Sequence, residues 1–154
     1  LLGVFEIDIV YAGILFLVAS ISGIVGRVFS GFLAEFFGRK FTAIFMAGVA
    51  SLFIFLFALA IVVDFFLILI LLVIGFALNG YVPVLLTLMA DVTPVSTRGR
   101  GFGLLFSVAI CFGSLSGVTV GYFLDTIGFP EAFMFIAFLN GISAVLLLLV
   151  TNGK

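Results

Sequence analysis

The chain has 154 residues, of which 66% are hydrophobic and 8% charged, whereas ordinary soluble domains are about 45–50% apolar and about 25% charged. A water-facing surface cannot be built from this composition, so the chain belongs in lipid. With no His, no Trp, a single Cys111 and a formal charge of −1, it has no imidazole for a metal site or proton relay and no thiol pair for a disulfide; enzyme chemistry is poorly supplied, and no cofactor, metal or nucleic-acid partner is expected.

Charges and turn residues divide residues 1–154 into five apolar blocks, about 9–34, 41–63, 65–90, 101–124 and 132–151. Each has about 20 residues or more, enough at about 1.5 Å per residue to cross a hydrocarbon core of about 30 Å. Backbone groups in lipid must be bonded within their own segment, so helices are expected despite the many Val, Ile and Phe. The predicted fold is an all-α polytopic bundle. The sequence starts at Leu1 with no basic stretch before the first apolar run, so a signal peptide is neither visible nor excluded, and a partial chain is expected.

The first block carries Arg27, which lies about two turns inside its end. A charge there costs at least about 2.5 kcal/mol on insertion scales and commonly faces a cavity or a partner. Arg27 is therefore a candidate anion contact, its planar fork suited to a carboxylate; alternatively it snorkels outward or pairs with a carboxylate such as Asp91. Ser20, Ser22 and Ser30 read as packing residues. The turn that follows, GFLAEFFGRK at 31–40, holds Gly31, Glu35, Gly38, Arg39 and Lys40. Gly31 offers close helix approach, Gly38 a sharp reversal, and Arg39 and Lys40 mark a membrane boundary.

After a second block and a tight turn near Asp64, the third block contains GFALNGYVPV. Asn79 and Tyr81 are candidate substrate contacts if Gly80 and Pro83 loosen the helical ladder towards a polar cavity; kinking and interhelical hydrogen bonding are the simpler alternative. The connector ADVTPVSTRGRGFG, residues 90–103, brings Asp91, Arg98 and Arg100. The fourth block carries Gly113, Gly117 and Gly121 along one face, a stripe for close packing or sliding of a neighbouring helix; its Ser107, Ser114 and Ser116 read as packing residues. Asp64, Asp125 and Glu131 read as solvated turn charges.

Alternation across the membrane places Arg39, Lys40, Arg98, Arg100 and Lys154 on one side and Glu6, Asp8, Asp64, Asp125 and Glu131 on the other. By the positive-inside rule, loops 35–40 and 91–100 and the C-terminus are cytoplasmic, in a plasma or inner membrane.

The two basic turns together resemble the cytoplasmic loop motifs of the major facilitator superfamily of secondary transporters: Gly31, an acid four residues on, then Gly38-Arg39-Lys40. Glu35 stands where that family more often has Asp. The resemblance implies twelve helices in two related halves, of which these five would be the second to sixth or the eighth to twelfth. The latter is preferred for the short tail after the last span and for GYFLDTIG at 121–128, which resembles the eleventh-to-twelfth connection. It also implies that Gly31, Glu35, Gly38, Arg39, Lys40, Asp91, Arg98 and Arg100 form a cytoplasmic gating network that holds the outward-open state. GRVFSG around Arg27 resembles the monocarboxylate porter and oxalate/formate exchanger branch, where an Arg four residues before the motif Gly binds the organic anion. Val118 stands where drug antiporters of the family place Pro.

The expected function is alternating-access transport of a small organic anion, with or without a coupling proton, completed by a missing N-terminal half or a second copy. A drug or sugar porter of the same superfamily and a non-transporting membrane scaffold are the alternatives. No Asp, Glu or His occupies the middle of a span, so a proton site would lie on other helices.

Overall fold

The structure, a computed structural model, describes residues 9–59 and 64–149. Glu6, Asp8, Lys154 and most of the turn before Asp64 lie outside them. The described residues form five helices: α1 Ile9–Phe37, α2 Arg39–Leu59, α3 Asp64–Val92, α4 Arg98–Thr126 and α5 Phe129–Leu149. All five are long and apolar enough to cross a membrane.

Seven helix ends lie beyond the block boundaries drawn from charge. The six-residue turn expected at 35–40 contracts to Gly38 alone, because Glu35, Phe36 and Phe37 continue α1 and Arg39 opens α2. Gly38 has φ +88°, a left-handed conformation that a residue without Cβ adopts at little cost. Its carbonyl accepts from both Thr42 N (3.0 Å) and Thr42 Oγ1 (2.9 Å), which starts α2 at once. Gly128, at φ +119°, closes α4: its N–H and that of Ile127 both donate to the Phe123 carbonyl, at 3.0 and 2.9 Å. Pro130 then sits in the first turn of α5, where no intrahelical donor is required. Charged side chains reach past such ends, so they mark a span less sharply than the caps do.

Helix packing is concentrated in α1, α2, α3 and α5. The most extensive contact joins α1 to α3, followed by α2 to α5 and α2 to α3. Glycines make the α1–α3 crossing possible. A Cβ on Gly26 would come within 2.2 Å of the Phe76 carbonyl oxygen, and one on Gly75 within 2.2 Å of the Ala19 oxygen. In lipid, where apolar burial gives little preference for helix association, such close backbone approach supplies the van der Waals contact. Ser22 Oγ adds a bond across the same seam to the Leu72 carbonyl, 2.8 Å. Small residues also join α2 to α5, where Ser51 Oγ donates to the Ala137 carbonyl at 2.7 Å and Phe57 stacks edge-on against Phe129 and Phe133.

α4 stands apart. None of its residues is buried, and its main contact is with α5, including the edge-on pair of Phe123 and Phe135. A Cβ added to Gly113, Gly117 or Gly121 would meet nothing within 4 Å, and the same holds for Gly31 on α1. The close approach expected at these positions is therefore not made to any described helix; the glycines in tight contact are Gly23, Gly26, Gly75 and Gly80 on α1 and α3.

Candidate functional site

α1 ends at Phe37, so Arg27 lies about 15 Å from that end at 1.5 Å per residue, nearer three turns deep than two. Its side chain is exposed on the helix bundle, and Nη2 donates to Oδ1 of Asn79 at 2.9 Å. Asn79 is close to the midpoint of α3. Its Nδ2 donates to the Gly75 carbonyl one turn back, 3.0 Å, and its amide lies against Gly23, where a Cβ would come within 2.5 Å of Nδ2. One turn of α1 thus supplies both the space for the amide and the cation it contacts.

Arg27 does not pair with Asp91. That carboxylate is at the far end of α3 and forms an ion pair with Arg39 at the start of α2. Nor does Tyr81 join Arg27 and Asn79. Two residues along α3 is about 200° around the axis, and the Tyr81 hydroxyl meets Ser143 Oγ of α5 at 3.1 Å, with its ring against the α2–α3 core of Met46, Ala50 and Ala77. Pro83 lies inside a continuous α3, so the ladder is interrupted at one donor without the helix breaking.

The end of the bundle that carries Gly38 gathers the basic residues. Besides the Arg39–Asp91 pair, Lys40 Nζ donates to the Leu148 carbonyl at 2.8 Å and Arg98 Nη2 to the Ala90 carbonyl at 2.8 Å. Both cations thereby meet carbonyls near helix C-termini, where the backbone dipole favours positive charge. Arg39, Lys40 and Asp91 line a cavity of about 590 Å³ with Ala34, Gly38 and Phe41. Gly31, Glu35 and Arg39 line a second one, of about 280 Å³, with Pro83, Val84 and Thr87. Glu35 is exposed and has no ion pair among the described residues, and Arg100 is likewise exposed.

Ser20, Ser107, Ser114 and Ser116 each bond a carbonyl of their own helix, and Ser30 is buried with Oγ on the Arg27 carbonyl. Ser143 and Gly23 are the two contributors that the sequence pattern did not single out. The signal for Gly23 was present in its four-residue spacing to Arg27, which puts both on one face of α1; Ser143 has no such marker.

Among the described residues no group of three His, Cys, Asp or Glu side chains could hold a metal ion. The site's chemistry is that of a cation held in an apolar span by a neutral amide, with one ion pair and two cation–carbonyl bonds at one end of the bundle. Comparisons with curated proteins and with solved structures return no match. The family model described as Major Facilitator Superfamily matches residues 1–154. With five membrane-length helices and a match along its whole length, the chain belongs to the Major Facilitator Superfamily of secondary transporters.

Proposed function

We propose that this transporter carries small organic anions by alternating access and that Arg27 is the anion contact. The observation that carries the reading is the partner of Arg27: a neutral amide, 2.9 Å away. A carboxylate partner would neutralise the guanidinium, whereas an amide leaves its charge for a ligand. The GRVFSG resemblance to carboxylate porters points the same way. Asn79 belongs to this site through Arg27, and Tyr81 serves the α3–α5 contact.

In this reading the basic end is cytoplasmic, in a plasma or inner membrane, and the Arg39–Asp91 pair, with Gly31, Glu35, Gly38, Lys40, Arg98 and Arg100 around it, stabilises the outward-open state and opens as the pathway turns inward. The unburied α4, with its Gly113, Gly117 and Gly121 stripe, and the exposed face of Arg27 meet further helices of the same polypeptide or of a second copy. The described spans have no central Asp, Glu or His, which favours exchange or uniport unless those other helices supply a proton site.

The test is uptake by the full-length protein in proteoliposomes, with labelled lactate and oxalate set against glucose and tetraphenylphosphonium. Saturable uptake of a carboxylate alone supports the reading. Uptake of the sugar or the cation alone assigns a different porter class, and uptake of none of the four favours a scaffold.

A further inference from the structure

We infer that Asn79 is a positioning residue that presents Arg27 to the anion, and that its neutrality sets the charge preference of the site. This rests on the organic-anion reading above.

The amide is fixed from three directions. Nδ2 donates to the Gly75 carbonyl at 3.0 Å, so Oδ1 is the atom offered to Arg27 Nη2 at 2.9 Å. The reverse orientation would place an N–H against the guanidinium and an oxygen against a carbonyl, two repulsive contacts in place of two bonds. The third direction is closed by Gly23: a Cβ there would lie 2.5 Å from Nδ2 and 2.7 Å from Cγ. Asn79 therefore fits between the helices because residue 23 has no side chain, and it cannot move towards α1.

The consequence for Arg27 is geometric. A guanidinium has five N–H donors and two planar edges that can grip a carboxylate, one formed by Nη1 and Nη2, the other by Nε and Nη2. Asn79 engages Nη2 through one bond, which leaves one of these edges whole. The arginine is thus tethered to α3 through Nη2 while keeping a bidentate edge for a ligand. Replacing the amide by a carboxylate would keep the acceptor that faces Arg27 and remove the net charge that an anion requires; it also gives up the Nδ2 donation to Gly75, a loss that Asn79→Ala shares and therefore controls for.

The experiment measures lactate and oxalate uptake by the full-length protein in proteoliposomes for Asn79→Asp, Asn79→Ala, Gly23→Ala and Arg27→Gln, with transport scaled to the amount of inserted protein. Asn79→Asp is expected to raise KM for the transported carboxylate about tenfold or more, about what an added charge–charge interaction supplies. Vmax per inserted molecule should change little. Asn79→Ala and Gly23→Ala, which release or displace the amide without adding charge, should raise KM by a smaller factor. An unchanged KM in Asn79→Asp while Arg27→Gln abolishes uptake overturns the inference and leaves the anion reading standing. Equal losses of Vmax at constant KM in Asn79→Asp and Asn79→Ala also overturn it, because a helix clamp alone behaves that way. If Asn79→Asp does not insert, unchanged KM in both Asn79→Ala and Gly23→Ala is decisive against it. Full activity in Arg27→Gln, or no carboxylate uptake by the unaltered protein, overturns the organic-anion reading and the inference with it.

Discussion

Arg27 of α1 and Asn79 of α3 are joined by a 2.9 Å hydrogen bond well inside the membrane-length part of both helices. A charged side chain at such depth costs about 2.5–3.5 kcal/mol on insertion scales, and one bond to an amide does not cancel that cost. Among the described residues no carboxylate forms an ion pair with Arg27, and a cation retained at this depth without one is the physical support for the proposal that its charge serves an anion.

The glycines of the α1–α3 seam should be intolerant of substitution. In Gly26→Ala the new methyl group would overlap the Phe76 carbonyl, and backbone cannot yield as a side-chain tip can. The helices must separate, at an expected cost of about 1–3 kcal/mol or more. Gly48→Ala has open space around it and should be neutral or slightly stabilising through helix propensity. Thermal unfolding of the two variants in detergent, followed by size-exclusion chromatography, checks the contrast.

Gly38 should be sensitive for a different reason. It has no neighbour within 4 Å of a Cβ, yet its φ is +88°, so Gly38→Ala is a conformational penalty of about 1 kcal/mol without a clash. Gly38→Asn should cost less, since Asn enters the left-handed region more readily than other residues with a Cβ. The order Gly, Asn, Ala in melting temperature is the expected result.

The Arg39–Asp91 pair is partly exposed, 47% and 40% for the two side chains, so its worth to stability is about 0–1 kcal/mol. Its effect should fall on transport instead. Arg39→Asp and Asp91→Arg should each slow uptake severalfold with little change in melting temperature, and the double exchange should restore part of the rate. Initial rates in proteoliposomes decide this; no recovery in the double variant reduces the pair to a membrane-boundary anchor. The corresponding exchange of Glu35 with Arg39 should give no rescue in the conformation described, where Arg39 is engaged by Asp91.

Tyr81→Phe provides a control for the site. It removes the bond to Ser143, worth about 0.6 kcal/mol on average for polar contacts between membrane helices, while leaving Arg27 and Asn79 in place. A small loss of thermal stability with unchanged KM for the carboxylate is expected. A raised KM would return Tyr81 to the substrate path.

The five spans were legible because lipid makes a strong demand on any backbone that crosses it, and only apolar stretches of sufficient length meet that demand. Their ends were less so: Glu35 looks like the edge of a span, yet it stays helical because the stop signal is the conformation of Gly38 rather than the charge. Packing partners were the least legible. The evenly spaced Gly113, Gly117 and Gly121 give the most regular pattern in the chain, but spacing states only that a close approach is possible and names no partner. The less regular Gly23, Gly26, Gly75 and Gly80 make the contact, because α1 and α3 cross there. For Arg27, the sequence placed the residue inside a span and the structure sets it nearly a turn deeper; Asp91 is a reasonable partner by charge, but Arg39 meets it at the helix end while Arg27 meets the amide facing it.

The most direct measurement is carboxylate uptake by the full-length protein with Arg27→Gln and Arg27→Lys, scaled to inserted protein. Loss of saturable uptake in Arg27→Gln, with a raised KM in Arg27→Lys because a point charge cannot replace the planar fork, is the predicted result. Unchanged uptake and affinity in both variants would contradict it and remove Arg27 from the site.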